Sequence, residues 1–202
     1  DRSRRGRAVM VRKLAALAAR VLVAGVLLPV LYLIRPWRRV RIGHLMTERI
    51  GHLAANVDLY MRRRQVGREP AGVLDIFIAN RPCNRQLLDM WRRHLTIFES
   101  HVLSFVYLSS WRVLEGTPFL VDLPLTNWDG PGYDQGVATL SFTPEEEARG
   151  RADLARMGIG PDDWFICFHS RDSAYLGRQI PGSDRNHEDF RNCSILTLTA
   201  LL

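Results

Sequence analysis

Near its C-terminal end the chain gathers side chains suited to holding phosphate and sugar hydroxyls. The apolar run Trp164–Phe168 stops at His169, and Arg171, Asp172 and Ser173 follow within four residues. A guanidinium at the end of a strand presents a planar fork to a phosphate, with a carboxylate beside it to hold the fork or accept a hydroxyl. A second polar knot, "HEDFRN", places Arg191 and Asn192 where they can close the other side of a pocket. The alternative is a salt-bridged Arg171–Asp172 rim with Asn192 as a helix cap. Towards the front, "TERIGHLAAN" puts Gly51 and His52 at the start of a predicted helix. Gly51 lets a ligand approach the backbone, the helix start favours an anion, and His52 is the candidate general base because an unperturbed imidazole has its pKa near working pH. The plainer alternative has Gly51 serving tight packing and His52 capping or facing water.

Other chemistries lack their signatures. There is no Walker A loop, no G-x-G-x-x-G, no G-x-S-x-G and no H-E-x-x-H. No D-x-D pair signals a metal-bridged diphosphate, so a phosphate site would rely on arginine and helix N–H groups, with no metal and no cofactor expected. Cys83, Cys167 and Cys193 form no C-x-x-C pair and no disulfide framework, which fits a reducing compartment. Cys167, inside the apolar run, is expected to pack as a small hydrophobe.

These residues need elements to position them. Apolar runs alternate with helical spacing: a strand at 39–46, a helix at 51–64, a strand at 72–80, a helix at 83–95, a short strand at "TIFE" and a helix from His101. Residues 116–136 are rich in Pro, Gly, Asn and Asp and are expected to form a long loop. Thr143, Pro144 and Glu146 then spell a capping box, and Gly158 ends that helix. A buried strand is expected at Trp164–Phe168. Such a β-α-β-α order predicts an α/β fold with a Rossmann-like parallel sheet, whose ligands bind beyond the carboxyl ends of the strands. The segment "RIGHL" occurs at 41–45 and again at 49–53, the first copy in a strand and the second opening a helix.

Charge is divided sharply along the chain. Residues 1–41 hold eleven Lys or Arg and one acid, a net of +10; residues 42–202 hold 17 Arg and 20 acids, a net of −3. A nucleic-acid binder spreads basic residues over its folded face, so nucleic acid is not an expected partner. Within the arm, Leu14–Ile34 is apolar except for Arg20 and is close to the roughly twenty residues that cross a hydrocarbon core. Arg20 can snorkel, while Trp37 and the flanking arginines suit the interface of an anionic membrane. The arm therefore reads as an anchor, spanning or lying in the plane, with a buried core helix as the alternative. Both flanks are basic, so orientation is not signalled; the reducing character of the rest places the folded part on the cytoplasmic side of an inner membrane.

Over residues 38–202, "RIGHLAANVDLYM", "FICFHSRDSAYL" and "DFRNCSI" resemble a bacterial family of glycosyltransferases associated with surface-polysaccharide synthesis. The H-x-R-D knot is also distantly similar to the donor motif of fucosyltransferases built from two Rossmann-like domains. The resemblance implies a GT-B-type enzyme that moves a sugar from a nucleotide sugar to a glycan or lipid-linked acceptor. It assigns His169, Arg171, Asp172, Ser173, Arg191 and Asn192 to the donor site, and Gly51 and His52 to the facing cleft. The implied organisation is a basic arm at 1–41, a Rossmann-like domain at 42–135, a linker and helix at 136–163, and the start of a second domain at 164–202. The apolar tail "ILTLTALL" reads as a helix cut midway, so that domain is expected to be truncated. A non-catalytic, membrane-anchored binding subunit with a degenerate transferase fold is the competing expectation.

Overall fold

The computed structural model describes residues 2–121, 123 and 134–167. The chain forms two compact units, Asp1–Phe142 and Thr143–Leu202.

The first unit is α/β. Three parallel strands, β1 (Arg39–His44), β2 (Val73–Ala79) and β3 (Thr96–Glu99), lie in the order β1-β2-β3. In register, Arg39 faces Val73 across the first pair and Ile76 faces Thr96 across the second. The far edge of β1 is not bare. Ile42 donates to the Phe119 carbonyl at 2.7 Å, and Val121 donates to the Ile42 carbonyl at 2.9 Å. An extended segment thus docks beside β1 within the stretch 116–136 expected to be a loop. Its buried Phe119 packs with Leu31 and Val40 on one side of the sheet, and its buried Val121 and Leu123 join the Phe77 cluster on the other.

Side chains divide by parity, as a pleated strand requires. Odd-numbered residues of β1 and β2 face helix α3 (Val57–Gln65), entered through a wide π-helical turn at His52–Asn56, and helix α4 (Arg85–Arg92). Phe77 and Ala79 pack there with Leu53, Val57, Tyr60, Leu88 and Trp91. The indole of Trp91 donates to the Leu53 carbonyl at 2.9 Å, tying α4 to the wide turn. Even-numbered Val40, Ile42, Leu74 and Ile76 face the other way.

What covers that second face is the arm. Residues 2–34 form one continuous helical run: α1 (Arg2–Leu22), a π-helical turn (Val23–Leu27) and α2 (Leu28–Ile34). Leu27, Leu28, Leu31 and Ile34 pack on the even-numbered strand residues and Phe119. The wide turn lies just before Pro29, whose ring lacks an N–H and crowds the carbonyl four residues back. Higher up, α1 runs along α5 (His101–Leu114), and Arg20 Nε donates to the Ser109 carbonyl at 2.9 Å. Gly6–Ile34 is, by length and composition, apolar enough to cross a membrane.

The second unit contains α6 (Pro144–Arg156) with the expected capping box: Glu146 N–H to Thr143 Oγ1 at 3.2 Å, and Thr143 N–H to the Glu146 carboxylate at 2.8 Å. The buried strand expected at Trp164–Phe168 does not form over its described part. Residues 164–167 are irregular and exposed, Trp164 to 84%, and Cys167 is exposed too. A parallel strand exists only by pairing, and no described strand of that unit pairs with it.

Candidate functional site

The carboxyl ends of β1, β2 and β3 release three loops, each leading into a helix start. Thr47 locks two of them together. Fully buried, it donates its hydroxyl to the Asn80 carbonyl and accepts from the Asn80 N–H, while its own carbonyl accepts from Cys83 N–H at 2.8 Å. Between those anchors Arg81 is exposed with φ 46°, a left-handed backbone uncommon for a side chain of this size, followed by Pro82. Asn84 then caps α4 by accepting from Leu87 N–H at 2.9 Å. Burial raises the pKa of the Cys83 thiol above its ordinary value.

At β3, Ser100 N–H continues the ladder to the Ala79 carbonyl at 3.0 Å, and its side chain caps α5. Glu99 is paired with Arg85 and, at 2.9 Å, with Arg92, and these guanidiniums, Arg85 first, hold its carboxyl below the usual range. At the end of β1, His44 turns to the even face, stacks on Tyr107 with ring centroids 5.4 Å apart and lies 3.2 Å from Ser104 Oγ. Burial lowers its pKa.

Gly51 and His52 sit side by side where the helix after β1 begins. Gly51 has helical dihedrals, φ −61° and ψ −42°, and a Cβ there would meet nothing within 4 Å. Packing therefore does not require the glycine. His52 is half-buried, and its Nδ1 lies 3.1 Å from the Asn56 side-chain nitrogen, four residues on across the wide turn. An amide nitrogen only donates, so Nδ1 accepts and the neutral ring carries its proton on Nε2. In this arrangement Nε2 is a hydrogen-bond donor.

His169, Arg171, Asp172, Ser173, Arg191 and Asn192 lie outside the described residues. The residues that sequence reasoning passed over at this end of the sheet are Thr47, Asn80, Arg81 and His44. "ANRPCN" held a usable signal for two of them, since Asn and Pro after an apolar strand mark a turn; nothing in the spacing shows that Thr47 reaches it. Among the described residues no group of three or more His, Cys, Asp or Glu is placed to hold a metal ion.

A polar cluster at the opposite end of the sheet is structural. Asp75, nearly buried, receives both arms of Arg41 at 2.7 and 2.8 Å and the Tyr60 hydroxyl, while Arg41 also meets Glu69 at 2.9 Å. The Asp75 hydrogen bond raises the Arg41 pKa, and burial, followed by that carboxylate, raises the Tyr60 pKa. Both carboxylates share the one Arg41 guanidinium, so no charge in the cluster lacks an opposite neighbour.

No protein-family model, curated protein or solved structure matches the chain.

Proposed function

We propose that the chain is a membrane-attached, metal-independent, GT-B-type glycosyltransferase acting in surface-polysaccharide synthesis at the cytoplasmic face of the inner membrane. The observation that carries this reading is the carboxyl end of the parallel sheet. Three loops and their helix starts gather there, at the place where open α/β sheets take ligands, and one of them carries Gly51 and His52 on a π-helical turn. In the reaction, an acceptor hydroxyl oxygen attacks the anomeric carbon while the bond to the nucleoside diphosphate breaks. Arg171 and helix N–H groups stabilise the departing diphosphate. His169, Asp172, Ser173, Arg191 and Asn192 hold the donor. His52 takes the acceptor proton through Nδ1 once the acceptor displaces Asn56, or orients the acceptor from Nε2.

The engagement of His52 Nδ1 by Asn56 also favours a second reading, a non-catalytic subunit that binds a lipid-linked glycan on the same loops. A thermal-shift panel of nucleotide sugars against the chain and its Arg171→Ala variant separates the two. Stabilisation by one nucleotide family, lost in the variant, supports the transferase. A folded protein that no donor stabilises removes it and leaves the binding subunit.

A further inference from the structure

We infer that the arm does not cross the membrane: α1, α2 and α5 together form an in-plane surface that lies in the interface of an anionic leaflet. The inference rests on the reading that the arm meets a membrane, and it fixes how.

Three observations carry it. First, the last two turns of the helical run are already occupied, because Leu27, Leu28, Leu31 and Ile34 form the core of the sheet's even face. A span would have to use the turns before Leu27, and Gly6–Val26 holds Arg7, Arg12, Lys13 and Arg20. Second, Arg20, although exposed, is tied to the domain. It falls one turn from both Ala16 and Val23, in the stripe that meets α5 and the domain, and it donates to the Ser109 carbonyl. A helix inserted across the bilayer at Arg20 would draw the backbone of α5 into hydrocarbon with it, together with the sheet face that α5 covers. Third, Arg20 apart, the outward side of the run carries no charge from Leu14 to Leu33. Its large apolar residues there range from 46% (Val30) to 68% (Leu33) exposed.

On α5, which α1 runs along, Leu108 is 58% and Val102 70% exposed. The chemistry around this patch names its partner. Arg12 and Lys13 precede the apolar stretch, Arg35, Trp37 and Arg38 follow it, all exposed, and on α5 Arg112 lies over the Trp111 ring. Cations and indoles around an apolar face are the composition of a helix lying at headgroup level, buried about 5–10 Å. A protein partner needs no such cationic rim.

The test is flotation of the full chain with phosphatidylcholine vesicles, with and without phosphatidylglycerol, beside Val21→Glu, Leu108→Glu and Leu108→Ser. Leu108 is exposed on α5, so unchanged thermal midpoints confirm that its variants fold. The expected result is binding that strengthens with phosphatidylglycerol, is lost in Val21→Glu, weakens about tenfold in Leu108→Ser and falls further in Leu108→Glu. Loss in Val21→Glu with no change in either Leu108 variant overturns the in-plane surface and leaves a membrane-inserted helix. No flotation of the unaltered chain overturns membrane attachment itself. A vesicle-free dimer that Val21→Glu and Leu108→Glu dissociate overturns both, and assigns the patch to a second copy of the chain.

Discussion

Gly43 and Gly51 hold the same place in two copies of one pentapeptide, yet physical chemistry asks different things of them. A Cβ on Gly43 would come within 2.9–3.0 Å of the Phe77 ring and 3.0 Å of Val121 Cβ, so strand packing explains it; a Cβ on Gly51 meets nothing. Gly43→Ala is expected to cost about 1–3 kcal/mol by overpacking. Gly51→Ala is expected to gain about 0.5–1 kcal/mol from helix propensity. Chemical unfolding of both variants checks this, and weaker ligand binding by the more stable Gly51→Ala would mark the bare backbone as a contact. The same echo separates His44 from His52. Burial holds His44 neutral in the fold, while the unfolded chain takes up a proton as pH falls through its ordinary value of 6.5. Stability is therefore expected to be flat above about pH 6.5 and to decline below it. His44→Phe, which keeps a ring against Tyr107, should flatten that decline in urea midpoints measured at pH 7.5 and 5. None of this was legible in the sequence, because burial of a histidine depends on which helix arrives over it.

At the level of elements, local signals were readable and edge partners were not. The capping box at Thr143 needs only neighbours three residues apart, and it forms as written. Its loss in Thr143→Ala is expected to cost about 1 kcal/mol, read as roughly fivefold faster amide exchange in the first turns of α6. The strands at 39, 73 and 96 were likewise visible as apolar runs between helical periods. The docking of Phe119 and Val121 was not, because Pro118 and the Pro- and Gly-rich stretch that follows read as loop, and the segment is extended only because β1 offers it an edge. Trp164–Cys167 failed in the opposite sense. An apolar run is necessary for a buried strand, but a neighbour to pair with is what makes one. Of the candidate site, sequence named Gly51 and His52 and their helix start; the Asn56 contact that sets the His52 tautomer comes from the wide turn, which periodicity does not reveal.

For the molecule as a whole, the arm was visible as apolar and basic, but its double role was not. Of the two alternatives weighed from sequence, a membrane anchor and a core helix, the core helix describes the face packed on the sheet. The inward stripe through Val23 and Leu31 belongs to the domain, and the outward residues from Leu14 to Leu33 are exposed and form the face proposed to meet the interface. This bears on how the protein can be handled. Trimming a greasy leader to obtain a well-behaved sample is ordinary bench practice, and here it would strip the lid from half the sheet. Removal of residues 1–34 leaves Val40, Ile42, Leu74, Ile76 and Phe119 without the helix that packs on them. The shortened protein is expected to bind a hydrophobic dye strongly and to sediment as aggregate, whereas the full chain in mild detergent stays dispersed. A purification strategy that keeps the leader and shields it is the one this architecture rewards.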